Sequence, residues 1–165
     1  MNQNHKFIKL LFTFLTICFI FYIFSNSMFT GTESGKQSAF VLTIINKFFA
    51  RVGITATVTE HFVRKLGHFT EYFALGSLLT ITVRMYARKP LKHIFTELFI
   101  LIMVPEIDEC IQHFVPGRGP SVIDVMIDFA GGLTGLMVLL LIINLIDSIR
   151  IGKQEDHTAE QKLGA

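Results

Sequence analysis

The sequence predicts an all-α integral membrane bundle of about four transmembrane helices, with an amphipathic helix in the first extracytoplasmic connection. Two observations carry that prediction. Apolar residues make up 51% of the 165, with 17 Phe among them, and the mean hydropathy is +0.52, more apolar than a soluble domain of this length. Those residues also fall in long blocks, each close to the roughly 20 residues that cross a bilayer. The chain reads as one membrane domain over 1–150 and a polar cytoplasmic tail over 151–165. Walker, GxGxxG, HExxH, GxSxG and CxxC patterns are absent, and no dense basic tract points to nucleic acid.

The elements follow in order. A polar lead with Lys6 and Lys9 precedes an apolar run over 10–24. Counted from Phe7, that run is long enough to span, with Lys9 snorkelling at its edge. A cleaved signal peptide is the rival reading, because Ser25, Asn26 and Ser27 offer small residues. The missing A-x-A pattern and the three further spans favour a retained helix. Cys18 and Cys110 read as small packing residues rather than a disulfide.

Residues 30–35 read as a turn. Over 37–51, Phe40, Val41, Ile44, Ile45, Phe48 and Phe49 recur at helical spacing, accompanied by Lys36, Lys47 and Arg51. This pattern predicts a helix lying on the membrane surface or over the bundle. The second span covers 61–83, and its first half carries a polar stripe of Lys65, His68, Glu71 and Tyr72. Arg84, Arg88, Lys89 and Lys92 crowd the next connection. The third span, 91–114, contains Pro105, which predicts a kink, and Glu97, which is expected to pair with the basic connection. The fourth covers 122–146, followed by Arg150, Lys153 and a tail expected to fray.

Residues 108–128 organise the whole. Glu109, Gln112 and His113 share one helix face, and Asp124 and Asp128 share another. Pro116-Gly117 and Gly119-Pro120 frame a tight connection around Arg118. Basic flanks place both termini inside, so the polar parts of spans two, three and four all gather at the outer end. Gly131 and Gly135 have the spacing that lets another helix come close. A water-exposed rim that caps helix ends is the bland alternative. The intramembrane depth of Glu71 and Asp128 argues for a working site instead.

Three stretches carry a resemblance. K-x-x-H-F-x-E-Y at 65–72, D-E-x-x-Q-x-F-V-P-G-R at 108–118 and S-x-x-D-V-x-x-D-x-x-G-G-x-x-G at 121–135 resemble the VanZ-like family, over roughly 12–146. The serine-containing stretch 24–27 is similar to a motif at the end of that family's first span. The family takes its name from a membrane protein that lowers teicoplanin susceptibility, so the resemblance implies a place in cell-envelope biology. Asn often stands in the family where this chain has Asp128, so no role requiring that charge is assigned. Nothing here resembles a ligase or a dipeptidase.

The resulting expectation is an extracytoplasmic polar site in a multi-pass protein of the bacterial cytoplasmic membrane. Glu71 and Glu109 are candidate general acid and base, with His68 relaying. Lys65, Tyr72, Gln112, Arg118, Asp124 and Asp128 are candidate binding residues. Lys65, His68 and Arg118 would suit a lipid-linked or phosphorylated glycan, and Arg118 is expected to reach a carboxylate. The lipid bilayer is the expected environment, with a lipid-linked envelope precursor or a glycopeptide as partner. Homo-oligomerisation and enzymatic activity stay open. No metal or cofactor is predicted, since His68, Glu71, Glu109 and His113 are not a diagnostic ligand set. A non-catalytic scaffold and a small proton-coupled transporter are the rival classes.

Overall fold

The computed structural model describes residues 3–56, 58–87 and 90–163, the side chains of 90, 91 and 155–163 excepted. Among these every regular element is a helix. The elements are α1 (Gln3–Ser27), α2 (Gly31–Arg51), α3 (Glu60–Tyr86), a 3-10 turn (Pro90–His93), α4 (Ile94–His113) and α5 (Val122–Leu163).

The helix starts are written locally. Thr30 caps α2: its hydroxyl accepts the Glu33 N–H, and the Thr30 N–H donates to Glu33 Oε2 at 2.9 Å, satisfying two orphan donors at once. The stretch 30–35, expected as a turn, is therefore the first turn of a helix; this reciprocal cap outweighs the propensity cost of Gly31 and Gly35. Thr59 caps α3 by accepting the Phe62 N–H at 3.2 Å. α4 runs through Pro105 without a break. Pro105 is buried and has no N–H to offer the carbonyl of Leu101. α5 stays helical to Leu163, well past 146, so the stretch expected to fray is helical backbone. Arg88 and Lys89, part of the basic connection expected to meet Glu97, lie outside the described residues. Glu97 is buried and accepts a hydrogen bond from Thr80 Oγ1 at 3.0 Å.

α3 is the central helix, and its interface with α5 is the most extensive in the fold. Glycine makes that approach possible. A methyl group added at Gly76 would collide with the Gly132 carbonyl, and one at Gly131 or Gly135 would collide with the carbonyl of Phe69 or Phe73. The paired glycines let two backbones touch. Around the crossing, Ile23, Leu75, Leu79, Leu101, Val104 and Leu136 form the core beside Tyr72.

Outside that core the surface is strongly apolar. Phe7, Phe14 and Phe21 on α1, Phe95 and Phe99 on α4 and Leu141 on α5 all face outward. Phe40, Ile44 and Phe48 do the same on α2, which packs on α3 by its other face. Such surfaces are compatible with a lipid bilayer. Two helices, α1 and α5 over Val122–Gln154, are long and apolar enough to cross one. The sequence pointed to about four. α3 and α4 fall short by composition: α4 carries four acidic residues, Glu97, Glu106, Asp108 and Glu109, of which the fold buries all but Glu106, and α3 carries a polar stripe in its first half.

Candidate functional site

One end of the bundle gathers polar groups from all five described α-helices, α2 lending Ser34, Gln37 and Ser38. α1 ends there with Asn26 and Ser27. α3 contributes Lys65, His68, Glu71 and Tyr72 from its first turns. α4 ends there with Asp108, Glu109 and Gln112. The connection brings Arg118, and α5 begins there with Asp124 and Asp128. Each set sits at a helix end because the chain reverses direction between consecutive helices.

The connection is clamped in place. The Gly31 N–H donates to the Pro116 carbonyl at 3.1 Å, and Gly117 adopts φ 78°, a conformation that favours glycine. A side chain at Gly31 would strike the Gly117 carbonyl. The cap of α2 and the Pro-Gly turn thus hold Arg118 over the cluster.

Arg118 Nη2 donates to the Asn26 carbonyl at 3.4 Å. No carboxylate lies within 4.0 Å of it among the described residues, contrary to the expected ion pair; the loop anchor aims it at a helix C-terminus instead. Burial pulls its guanidinium below the ordinary value while Asp108 pulls the other way, and it stays charged. Asn26 Nδ2 donates to Glu71 Oε1 at 2.7 Å. Lys65 Nζ sits 3.0 Å from Asp124 Oδ1.

Deeper, Gln112 Nε2 donates to Asp108 Oδ2 at 3.1 Å and reaches Ser27 Oγ at 3.3 Å. Tyr72 is fully buried, with its hydroxyl beside Asp108. Asp128 is 1% exposed, and neither of its oxygens has a hydrogen-bond partner.

Two spaces open onto this cluster. A polar cavity of about 220 Å³ is lined by Lys65, His68, Gln112, Arg118, Asp124 and Asp128, among others. Beside it runs an apolar groove of about 590 Å³, with Phe19, Tyr22, Val41, Ile45 and Leu66 along its walls and Asn26 and Glu71 at its polar end. Arg64, His68 and Arg118 line both spaces.

Two candidates sit elsewhere than expected. Glu109 lines neither space. It accepts the Ser121 N–H at 2.8 Å and faces a hollow shared with Cys110, His113 and Phe114. His113 is exposed, its ring edge-on to Phe114. The polar face of α4 is therefore Asp108, Glu109 and Gln112, rotated from the Glu109, Gln112 and His113 face read from spacing. Three residues escaped the reading. Asp108 could have been found as the i, i+4 partner of Gln112. Asn26 had only the weak 24–27 match, and Arg64 gave no local signal at all.

The family model described as VanZ/LLP1 matches residues 12–144. Neither a curated protein nor a solved structure matches the chain significantly.

Proposed function

The chain belongs to the VanZ/LLP1 family, and from that premise we propose that it is a multi-pass protein of the bacterial cytoplasmic membrane that binds an anionic envelope amphiphile at its outer end. In this reading α1, α3, α4 and α5 span the bilayer, both termini are inside and α2 lies at the outer surface. Glu97, Asp108 and Glu109 of α4 and Lys65 and Glu71 of α3 are tolerable in a membrane because the bundle covers them wholly or in part.

One observation carries the ligand class: the polar cavity and the apolar groove are contiguous and share Arg64, His68 and Arg118. An acyl or prenyl chain suits the groove. A phosphate suits the shared cationic rim, where Arg118 still has unused donors. A lipid-linked envelope precursor has both parts, and teicoplanin susceptibility is one phenotype such binding could alter. The reading requires binding, with no chemical step.

The test is affinity for a polyprenyl phosphate against the matching neutral polyprenol, measured by native mass spectrometry of the detergent-purified protein. The phosphate should bind more tightly, and Arg118→Ala should remove roughly the 1.5–3 kcal/mol typical of hydrogen bonds to charged groups. Equal binding of phosphate and alcohol would sink the proposal.

A further inference from the structure

Beneath the polar cavity, three helices each send in one side chain whose free atoms face the others. His68 comes from α3, Asp108 from α4 and Asp128 from α5, and one potential ligand atom from each lies within 4.8 Å of the other two. His68 Nδ1, Asp108 Oδ1 and both oxygens of Asp128 are buried without a hydrogen-bond partner. Asp108 is 0% and Asp128 1% exposed. His68 Nδ1 and Asp128 Oδ1 are 4.0 Å apart, too far for a hydrogen bond.

The Tyr72 hydroxyl beside Asp108 is unpartnered too. Buried polar atoms are nearly always paired, and three residues with unpaired atoms whose ligand atoms meet within 4.8 Å call for a cause. The nearby cations do not supply one. Lys65 is engaged with Asp124, and Arg118 with the Asn26 carbonyl. Two desolvated carboxylates with no cation are costly.

We propose that His68, Asp108 and Asp128 bind a divalent first-row transition-metal ion, of the zinc or manganese class, with its open coordination positions facing the polar cavity. Imidazole nitrogen combined with carboxylate oxygen suits these ions better than calcium or magnesium. Three protein ligands leave room for water or an anionic ligand. Metal bonds of about 2.1 Å at tetrahedral angles place ligand atoms about 3.4 Å apart, so a gap of 4.8 Å closes by about 1.4 Å, within the reach of side-chain rotation. The surroundings fit as well. Gln112 holds Asp108 Oδ2 and leaves Oδ1 free, which is how outer partners orient a ligating carboxylate. His68 and Asp128 line the cavity, so an ion there is reachable from outside. An amide oxygen at position 128 could also ligate, though more weakly.

The four residues weighed as ligands from the sequence, and set aside there, are a different set. Glu71 is held by Asn26, Glu109 by the Ser121 N–H, and His113 points away. Of those four only His68 belongs to this cluster.

The experiment is metal binding by chelator-stripped, detergent-purified protein without added lipid. It uses elemental analysis after zinc loading and manganese titration followed by electron paramagnetic resonance. About one ion per chain is expected, with a rise in melting temperature on loading. His68→Ala and Asp128→Ala should each weaken binding by at least the ten- to hundredfold that losing even an outer partner costs. His113→Ala should bind as the wild type does.

Failure of the stripped wild type to bind either ion stoichiometrically would overturn the proposal, and so would wild-type affinity in Asp128→Ala. In that case the carboxylates hold a proton instead. If Asp128→Ala does not fold, the wild-type titration and His68→Gln decide. A protein that binds polyprenyl phosphate and no metal would refute this inference alone, because the lipid proposal needs no ion.

Discussion

Gly76 and Gly67 lie on the same helix, and substituting each with alanine should have opposite effects. At Gly76 the new methyl would collide with the Gly132 carbonyl, while at Gly67 it would meet nothing within 4 Å. A backbone carbonyl cannot rotate aside as a side chain can, so α3 and α5 must part. Overpacking of this kind costs about 1–3 kcal/mol, and a rigid obstacle belongs at the upper end. Alanine returns about 1 kcal/mol of helix propensity. Gly76→Ala should therefore lose roughly 2 kcal/mol net and Gly67→Ala gain up to about 1 kcal/mol. For a chain of this size that is a melting temperature about 4–8 °C lower and about 2–4 °C higher. Thermal melts in detergent, followed by circular dichroism at the helical band, read both. Gly132→Ala is an internal check: its methyl meets the flexible end of Leu101 at 2.8 Å, so its cost should be smaller. If Gly76→Ala melts at or above Gly67→Ala, glycine contact does not set the α3–α5 crossing. The crossing also positions the site. His68 lies one helical turn from Tyr72 on α3, and Asp128 directly precedes the glycine face of α5, so Gly76→Ala should weaken ligand binding too.

Three further outcomes are expected. In a background with Cys18 and Cys110 replaced, since both are exposed, Gly119→Cys should react with an impermeant thiol reagent on intact cells and Gly152→Cys only after permeabilisation. The reverse pattern would move the site to the cytoplasmic face. Glu109→Gln should keep wild-type abundance and melting, because its amide oxygen can still accept the Ser121 N–H; Glu109→Ala would orphan that donor and lose about 1–3 kcal/mol. Loss of an envelope phenotype in a normally abundant Glu109→Gln protein would restore the proton-transfer role. The Thr30 hydroxyl and N–H hold the Glu33 carboxyl below its ordinary value. Its capping contribution is therefore complete above the unfolded carboxyl pKa and lost as pH falls through the lower folded value. Hydrogen-exchange protection factors at the start of α2, corrected for the intrinsic rate at each pH, should fall on acidification in wild type. They should respond much less in Glu33→Gln, and equal acid responses would contradict the cap.

The existence of the five described α-helices was legible in the sequence, though the start of α2 and the end of α5 were not. Apolar blocks fixed four long segments, and the 3.6-residue period fixed α2, whose Phe40, Ile44 and Phe48 make one stripe. The motifs at 65–72, 108–118 and 121–135 were legible because they are contiguous, and the same stretches carried the family. Connectivity alone also places the polar ends of α3, α4 and α5 together, since alternating directions allow nothing else. What it could not give was rotation. A helix reading defines a face only to within one residue's step of about 100°, so Glu109, Gln112 and His113 looked as coherent as Asp108, Glu109 and Gln112. Packing of α4 through Leu101, Val104 and Pro105 decided between them, turning Asp108 inward and His113 out. Tertiary structure alone also aimed Arg118 at the Asn26 carbonyl, where the Gly31–Pro116 hydrogen bond holds the turn. It alone brought His68, Asp108 and Asp128 to one point. Those three residues lie on three different helices, and the close contacts of Gly76 with Gly132 and of Gly131 and Gly135 with the Phe69 and Phe73 backbone bring α3 and α5 near enough for their side chains to meet.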